Sequence, residues 1–326
     1  MKKAVITGGT GCVGRNLVDI LEKENWEIIV LHRESSDLSK LKGCNVKTQV
    51  VDLKNKTSVL NAIPFGLDAI FHVAANLSHD PRDQKEQWND NVLGTRYLAE
   101  VALEKKTKRF IFTSTGATMT SHFKDKERCG KIKSGYVRTK RLAEIELYNK
   151  IKDGLDFVIL HPIIVVGKYD YGNYSSIFKL LKEKKLKRIF PGNFVFCDAT
   201  EIAKAHLNAY EKGKSCEHYV LGGVYSTWAD FANTGGKILG LKKKIKPAPY
   251  IVLKIVSNIA FLYSKIVGNK IDMTPEVVEL VGKGEVEINP YFSRKAKNEI
   301  GYDPEKQNLE GMIKTCINWM QISGKL

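Results

Sequence analysis

Short runs of Val, Ile, Phe and Ala alternate along the first half of the chain with longer stretches in which apolar residues recur every three or four positions. Residues 4–7, 27–31, 46–50, 69–73, 110–113 and 157–160 read as strands, and 13–24, 57–62, 91–105 and 136–151 carry helical spacing. Alternation at these lengths predicts βαβ units, and so a parallel sheet with helices on both faces. A run such as Ala69-Ile70-Phe71-His72-Val73, apolar at nearly every position, fits a strand covered on both sides.

After His161-Pro162 the alternation loosens. Residues 167–174 are loop-like, 175–185 read as a helix, and 218–221 as one more strand, followed by a lysine-rich and then apolar region to about Gly282. The pattern divides the chain into a unit over 1–166, with return segments about 195–222, and a smaller irregular lobe over most of 167–326. Such a lobe belongs over the carboxyl ends of the strands, where open α/β sheets bind ligands. Residues 250–267 come nearest to a spanning run but are interrupted by Lys254 and Lys265. At a period of 3.6, Leu253, Val256, Ile259, Ala260, Tyr263 and Ile266 form one stripe. The stripe predicts an amphipathic helix packed against its own domain, with no stable membrane insertion.

Composition narrows the class. With 326 residues, 43% hydrophobic and 27% charged, the chain is neither disordered, collagen-like nor a disulfide-stapled miniature. Lys and Arg number 52 against 36 Asp and Glu, a net charge of +16. The excess is concentrated at 182–188 and 242–246. No nucleic-acid signature accompanies these runs and no aromatics are interleaved, so they read as solvated surface without a nucleic-acid partner. The six cysteines (Cys12, Cys44, Cys129, Cys197, Cys216, Cys316) are scattered, with no CxxC and no histidines at ligand spacing. They predict reduced thiols and no metal site. Met1-Lys2-Lys3 leads straight into a strand without a secretory h-region, as expected of a cytoplasmic protein.

The first βα turn carries chemistry. Thr7-Gly8-Gly9-Thr10-Gly11-Cys12-Val13-Gly14 places glycines at 8, 11 and 14 between a strand and a helix. Gly8 permits a tight turn, Gly11 lets a pyrophosphate approach the backbone, and Gly14 lets the helix pack closely on the sheet. The anion then meets a helix N-terminus. An acid at the end of the second strand would favour NAD(H). Here His32-Arg33 stands there, and a cation favours the 2′-phosphate of NADP(H), although Glu34 turned inward would restore NAD(H). Asp52-Leu53, after the third strand, is placed to contact adenine. Further along, Tyr136-Val137-Arg138-Thr139-Lys140 sets a phenol and an ammonium on one helix face. An ammonium beside a phenol lowers its pKa, which suits a general acid delivering a proton to a carbonyl oxygen.

At this point the chain resembles the extended short-chain dehydrogenase/reductases, the NAD-dependent epimerase/dehydratase family, in the branch of dihydroflavonol reductase-like, cinnamoyl-CoA reductase-like and 3β-hydroxysteroid dehydrogenase-like enzymes. The resemblance rests on the glycine turn, Asp52-Leu53, His72-Val73-Ala74-Ala75, Asn91-Val92-Leu93-Gly94-Thr95, Phe112-Thr113-Ser114-Thr115, Tyr136 with Lys140, and His161-Pro162 through Gly167. Near the C-terminus, Asp198-Ala199-Thr200-Glu201-Ile202-Ala203 and Asn298-Glu299-Ile300-Gly301-Tyr302 also look like family segments. It implies an α/β fold, a Rossmann-type doubly wound parallel sheet with a smaller, irregular C-terminal substrate-binding lobe.

The resemblance also implies roles. Tyr136 is the acid/base and Lys140 lowers its pKa and holds the nicotinamide ribose. Thr115, with Ser114 beside it, supplies the hydroxyl that binds the substrate oxygen, and Asn91 steadies the helix beneath the site. Thr10, Cys12, Val13, Val73, Ala74, Ala75, Thr113, Pro162, Ile163 and Val165 join the glycines along the cofactor. Thr115 replaces the commoner Ser and narrows the pocket by a methyl. His161 stands where Arg often precedes the proline, and the segment from Thr115 to Tyr136 is short. His72 reads as a packing residue rather than a base. Asn76, Leu77, Met119, Val165, Tyr169, Tyr174, Phe178 and Phe194 are the expected substrate wall. A homodimer through helices 91–105 and 136–151 follows the family habit.

The expected reaction is NADP(H)-dependent interconversion of a carbonyl and an alcohol on a small or medium, largely apolar molecule. Two alternatives stand beside it: a nucleotide-sugar epimerase or dehydratase with tightly held NAD, for which the basic lobe would suit a sugar diphosphate, and a non-catalytic dinucleotide-binding scaffold.

Overall fold

The computed structural model describes residues 1–120, 134–271, 273–282 and 293–326. Six strands, β1 (Lys3–Thr7), β2 (Glu27–His32), β3 (Lys47–Val50), β4 (Ala69–His72), β5 (Arg109–Thr113) and β6 (Phe157–Pro162), alternate with five helices. These are α1 (Cys12–Lys23), α2 (Lys56–Ala62), α3 (Gln84–Trp88), α4 (Gly94–Glu104) and α5 (Gly135–Tyr148). Then follow β7 (Ile164–Val166), α6 (Ser176–Lys182), β8 (Arg188–Ile189), β9 (Asn193–Asp198), α7 (Ala199–Lys212), β10 (Glu217–Leu221), β11 (Val224–Thr227) and α8 (Trp228–Ile238). The remainder comprises β12 (Lys246–Pro247), α9 (Tyr250–Val267), α10 (Pro275–Gly282), α11 (Arg294–Ile300) and α12 (Leu309–Ile322).

Seven strands form one parallel sheet in the order β3-β2-β1-β4-β5-β6-β10, a Rossmann-type doubly wound arrangement. The alternation of side chains along β1 explains its two-faced cover. Ala4 and Ile6 pack with Leu17, Val18 and Leu21 of α1 and with α7, whereas Val5 packs with α2, α4 and α5 on the opposite face. The expected helix over 91–105 starts earlier, at Gln84, and runs through a π-turn at Asn89–Leu93 into α4.

The stretch from β9 to β10 is divided between two places. β9 pairs with β7 and β11 in a small sheet of the C-terminal lobe, α7 lies against α1, and β10 completes the main sheet. The lobe has its own apolar core, centred on Trp228, Phe178, Phe196 and Phe231, with the last two rings stacked at 4.6 Å. Phe178 is fully buried there, so it is a core residue and not part of a substrate wall. Its ring occupies the space where a Cβ on Gly235 would fall, 2.5 Å away.

Residues 250–267 do form a helix, but it faces the other way. Ser257 and Ser264 are its buried side chains, while Ile259, Tyr263 and Ile266 of the expected inward stripe are 63%, 66% and 82% exposed. The two serines lie two turns apart on one face. Their small side chains let α9 settle against its neighbours without a large apolar row between them. Cys12, Cys44, Cys197, Cys216 and Cys316 are free thiols; Cys129 and most of the short segment between Thr115 and Tyr136 lie outside the described residues.

Candidate active site

The chain must reverse sharply between β1 and α1, and glycine makes this possible. Gly8 adopts φ +74°, and a Cβ there would sit 2.7 Å from the Ala74 backbone nitrogen at the end of β4. A Cβ on Gly14 would sit 2.2 Å from the Gly8 carbonyl oxygen, so only glycine lets α1 approach this closely. Gly11 donates its N–H to the Gly8 carbonyl at 3.0 Å and caps α1 without a side-chain hydrogen bond. The positive end of α1 is therefore open to an anion. The Cys12 thiol takes no part in this: it donates to the Lys168 carbonyl at 3.3 Å, and burial pushes its pKa well above the ordinary thiol range.

Gly8, Thr10, Gly11, Cys12, Val13 and Gly14 form one end of a cleft of about 1640 Å³. That exceeds the roughly 300–1,000 Å³ of a site for one small molecule, leaving room for a dinucleotide and a second ligand. Arg33, Asp52, Leu53, Val73, Ala74 and Ala75 continue the wall, followed by Thr113, Ser114, Thr115, Tyr136, Lys140, Pro162, Ile163 and Val165. Arg33 is exposed at the rim beside Ser36. Glu34, which could have turned inward, is exposed and outside the wall. Of the residues expected to touch a cofactor or to react, Asn91 alone is not in this wall.

Tyr136 is half-buried, with the Thr115 hydroxyl beside it; Lys140, one turn further along α5, is fully buried with its Nζ 4.0 Å from the Phe112 ring centroid. Burial pushes the Tyr136 phenol up to about 12 against a smaller lowering by Thr115. Burial also pulls Lys140 down to about 7, opposed by the Glu144 charge. This corrects the expectation that Lys140 draws the phenol pKa down. Desolvation dominates both groups and disfavours the charged form of each.

The two neighbouring hydroxyls part company. Ser114 Oγ donates to Glu144, which also accepts from Thr118 Oγ1 at 3.0 Å and pairs with Arg141 at 2.7 Å. His161 Nδ1 joins this buried group, 3.1 Å from Thr118 Oγ1 and 3.2 Å from the Thr115 carbonyl. Ser114 thus braces the floor under Thr115, and Thr115 is the hydroxyl that meets Tyr136. Thr113 Oγ1 lies 2.7 Å from His206 Nε2, a neighbour on α7.

Asn91 accepts from the Asn76 N–H at 2.7 Å and donates to the Asn76 carbonyl and to Thr139 Oγ1, both at 3.0 Å. It buckles the loop after β4 to α5 and positions the site without entering it. His72 is buried, its ring nitrogens 2.7 Å from Thr7 Oγ1 and 3.0 Å from Thr95 Oγ1, as befits a packing residue. Of the expected substrate wall, Asn76, Leu77, Met119, Tyr174 and Phe194 line the cleft. Tyr169 does not: its hydroxyl donates to Asp19 at 2.9 Å and its ring stacks beneath Arg15.

Sequence reasoning missed a polar cluster on the far side of Tyr136. His79 Nδ1 lies 2.9 Å from Glu276, which accepts from Ser134 Oγ at 2.7 Å, and all three line the cleft. No short-range spacing signals it, because it joins β4's loop, the N-cap of α5 and α10. The basic runs 182–188 and 242–246 lie outside the wall.

A glycine-built anion cradle leading along a parallel sheet to a Tyr–Lys pair is the layout of the extended short-chain dehydrogenase class of enzymes, the dehydrogenases and epimerases alike. The chain belongs to the NAD dependent epimerase/dehydratase family, whose profile matches residues 4–222. It is 28% identical over 232 residues to sterol demethylase protein B of Methylococcus capsulatus, covering 68% of this chain and 70% of that one. It is 23% identical over 325 residues to a 3-beta-hydroxysteroid dehydrogenase of Mycolicibacterium neoaurum, covering 93% and 87%. In fold it matches a nucleoside-diphosphate-sugar epimerase from Pseudomonas aeruginosa with a TM-score of 0.78 at 20% identity, over 100% of this chain and 99% of that one.

Proposed function

We propose that the protein is an NADP(H)-dependent reductase or dehydrogenase that interconverts a carbonyl and an alcohol on a largely apolar substrate. The cradle fits the dinucleotide because Gly8 and Gly14, where a Cβ would strike the Ala74 and Gly8 backbone, bring the open N-terminus of α1 to the end of the cleft. The amides after Gly11 would hold the pyrophosphate, Arg33 a 2′-phosphate, Asp52 and Leu53 the adenine, Lys140 the nicotinamide ribose, and Pro162 and Ile163 the carboxamide. When bound, the nicotinamide supplies the hydride chemistry.

The side chains handle the proton. With its pKa near 12, Tyr136 is held protonated at neutral pH and gives that proton to the substrate oxygen as the oxygen gains charge. Thr115 holds the phenol in place and donates to the developing oxyanion. In the oxidative direction Tyr136, as the phenolate, takes the proton from the substrate hydroxyl. The observation that carries this reading is the meeting of Tyr136 and Thr115 in one cleft wall, where the glycine-lined end meets a wall of Leu77, Met119, Phe190, Phe194 and Trp228. Among the described residues of the wall beyond Tyr136 the one Lys or Arg is Lys270, and it is spent on Asp83 at 2.7 Å, which disfavours a sugar diphosphate. The sterol and steroid named in two relatives agree with an apolar substrate.

The test is turnover of the purified chain with NADPH or NADH against a panel of apolar ketones, including sterol-sized ones. Ketone-dependent consumption of NADPH, preferred over NADH, is the expected result. Conversion of a nucleotide sugar with no net use of added cofactor would replace this reading with the recycling one.

A further inference from the structure

The apolar face of α9 is turned outward. Ile251, Ile255, Ile259, Leu262, Tyr263 and Ile266 are each between 55% and 82% exposed. At 3.6 residues per turn they fill an arc of about 120°, opposite the buried Ser257 and Ser264. The helix is apolar and long enough to cross a bilayer, yet only 11% of it is buried. It is also held at its C-terminal end: Arg82 donates to the Ser264 carbonyl at 3.4 Å and to the Asn269 carbonyl at 3.0 Å. With Ser257 and Ser264 buried and its end tied to Arg82, α9 lies against the protein with its apolar face outward.

The segment carrying this face is basic, although its Lys237 and Lys270 pair with Glu310 and Asp83 of neighbouring elements. Residues 231–271 contain eight Lys and no Asp or Glu. The parallel pair β8·β12 sets Arg188 opposite Lys246, which brings the basic runs 182–188 and 242–246 together immediately before α9 begins. A second copy of the chain docking symmetrically on this face would bring like charges together. An anionic lipid surface answers both features at once, taking the isoleucines into its acyl boundary and the lysines onto its headgroups.

We propose that α9 docks the protein on the surface of an anionic phospholipid bilayer, with its apolar face in the headgroup–acyl boundary and the two basic runs on the headgroups. The segment that follows α9 runs straight into the cleft wall through Lys270, Ile271, Met273 and Val277. The docked face therefore adjoins the mouth of the substrate half. The proposal stands on the surface alone and does not depend on which reaction the cleft performs.

Flotation of the full chain with vesicles tests it. The chain rises with equimolar phosphatidylcholine–phosphatidylglycerol vesicles and not with phosphatidylcholine alone. The double variant Ile259→Glu/Ile266→Glu lowers the bound fraction about tenfold or more. Replacing Lys242, Lys243 and Lys244 by Glu does the same. These positions are exposed, so both variants keep wild-type thermal unfolding and dinucleotide binding, which shows that the fold is intact. Failure to float with anionic vesicles overturns the proposal, as does equal flotation with phosphatidylcholine alone or by the isoleucine variant. A concentration-dependent dimer that the isoleucine variant abolishes, with no vesicle binding, gives the face to a second copy instead.

Discussion

The His79 imidazole stands 2.9 Å from a Glu276 carboxylate oxygen, although 197 positions separate the two residues. The same carboxylate accepts from Ser134, the N-cap of α5, and the His79 ring meets the Tyr136 ring edge-on with centroids 5.6 Å apart. One side chain from α10 thus ties together the loop after β4 and the start of the helix that presents Tyr136.

Removing that tie loosens the cleft rather than the chemistry. Glu276→Ala is expected to cost about 1–2 kcal/mol of stability, since it leaves two polar partners to find water in a half-buried setting. Its effect on turnover falls on KM more than on kcat, because Tyr136 and Thr115 remain in contact. Denaturant titration together with steady-state kinetics separates the two, and a loss confined to kcat would place Glu276 in the proton transfer itself.

The neighbouring hydroxyls give a sharper contrast. Tyr136→Phe keeps the ring against His79 and removes the proton, so kcat falls by about 10²–10⁴-fold while the unfolding midpoint hardly moves. Thr115→Val removes the hydroxyl that meets the phenol and lowers kcat by a similar order or somewhat less. Ser114→Ala acts differently: its hydroxyl serves buried Glu144, so the variant loses about 1–3 kcal/mol of stability and retains most of its turnover. Single-turnover rates and melting curves for the three variants decide which hydroxyl belongs to the reaction.

What could be read in advance was what is local. The glycines at 8, 11 and 14 and the Tyr136–Lys140 pair announce themselves because a turn and a helix face each depend on residues a few positions apart. Strand runs such as 69–73 were legible because burial on both faces leaves no polar positions. The direction of α9 was not, since a period of 3.6 shows that a stripe exists but not which side the body lies on. Two small serines, unremarked in a row of isoleucines, decide it. His79, Ser134 and Glu276 meet only through the tertiary fold. The pKa of Tyr136 depends on how much protein surrounds it, which spacing to Lys140 cannot reveal.

Lys140 makes stability depend on pH. Its folded pKa is about 7 against an ordinary 10.5. Between those values the unfolded chain holds a proton that the folded chain has released, so stability rises with pH across this window, by up to about 1.4 kcal/mol per unit. Below pH 7 both states are protonated and the burial penalty is paid in full. Lys140→Met removes the charge, raises stability at pH 7 and flattens the slope between 7 and 10.5. Denaturant midpoints over this range for both proteins check the sign, and a wild-type slope that the variant retains would assign it to another group.

The proposed preference for NADP(H) rests on Arg33. The guanidinium is exposed at the tip of β2, on the rim of the cleft beside Ser36, while Glu34 lies outside the wall. A hydrogen bond between charged partners is worth roughly 1.5–3 kcal/mol, so Arg33→Ser is expected to lower kcat/KM for NADPH by about 10–100-fold. NADH lacks the 2′-phosphate and should lose about twofold or less, which reverses the preference or brings it close to unity. Added salt weakens the wild-type NADPH preference more than that of the variant, because an exposed ion pair is screened. The measurement is the ratio of kcat/KM for the two cofactors at low and high ionic strength. A ratio unchanged by the substitution would take the 2′-phosphate away from Arg33.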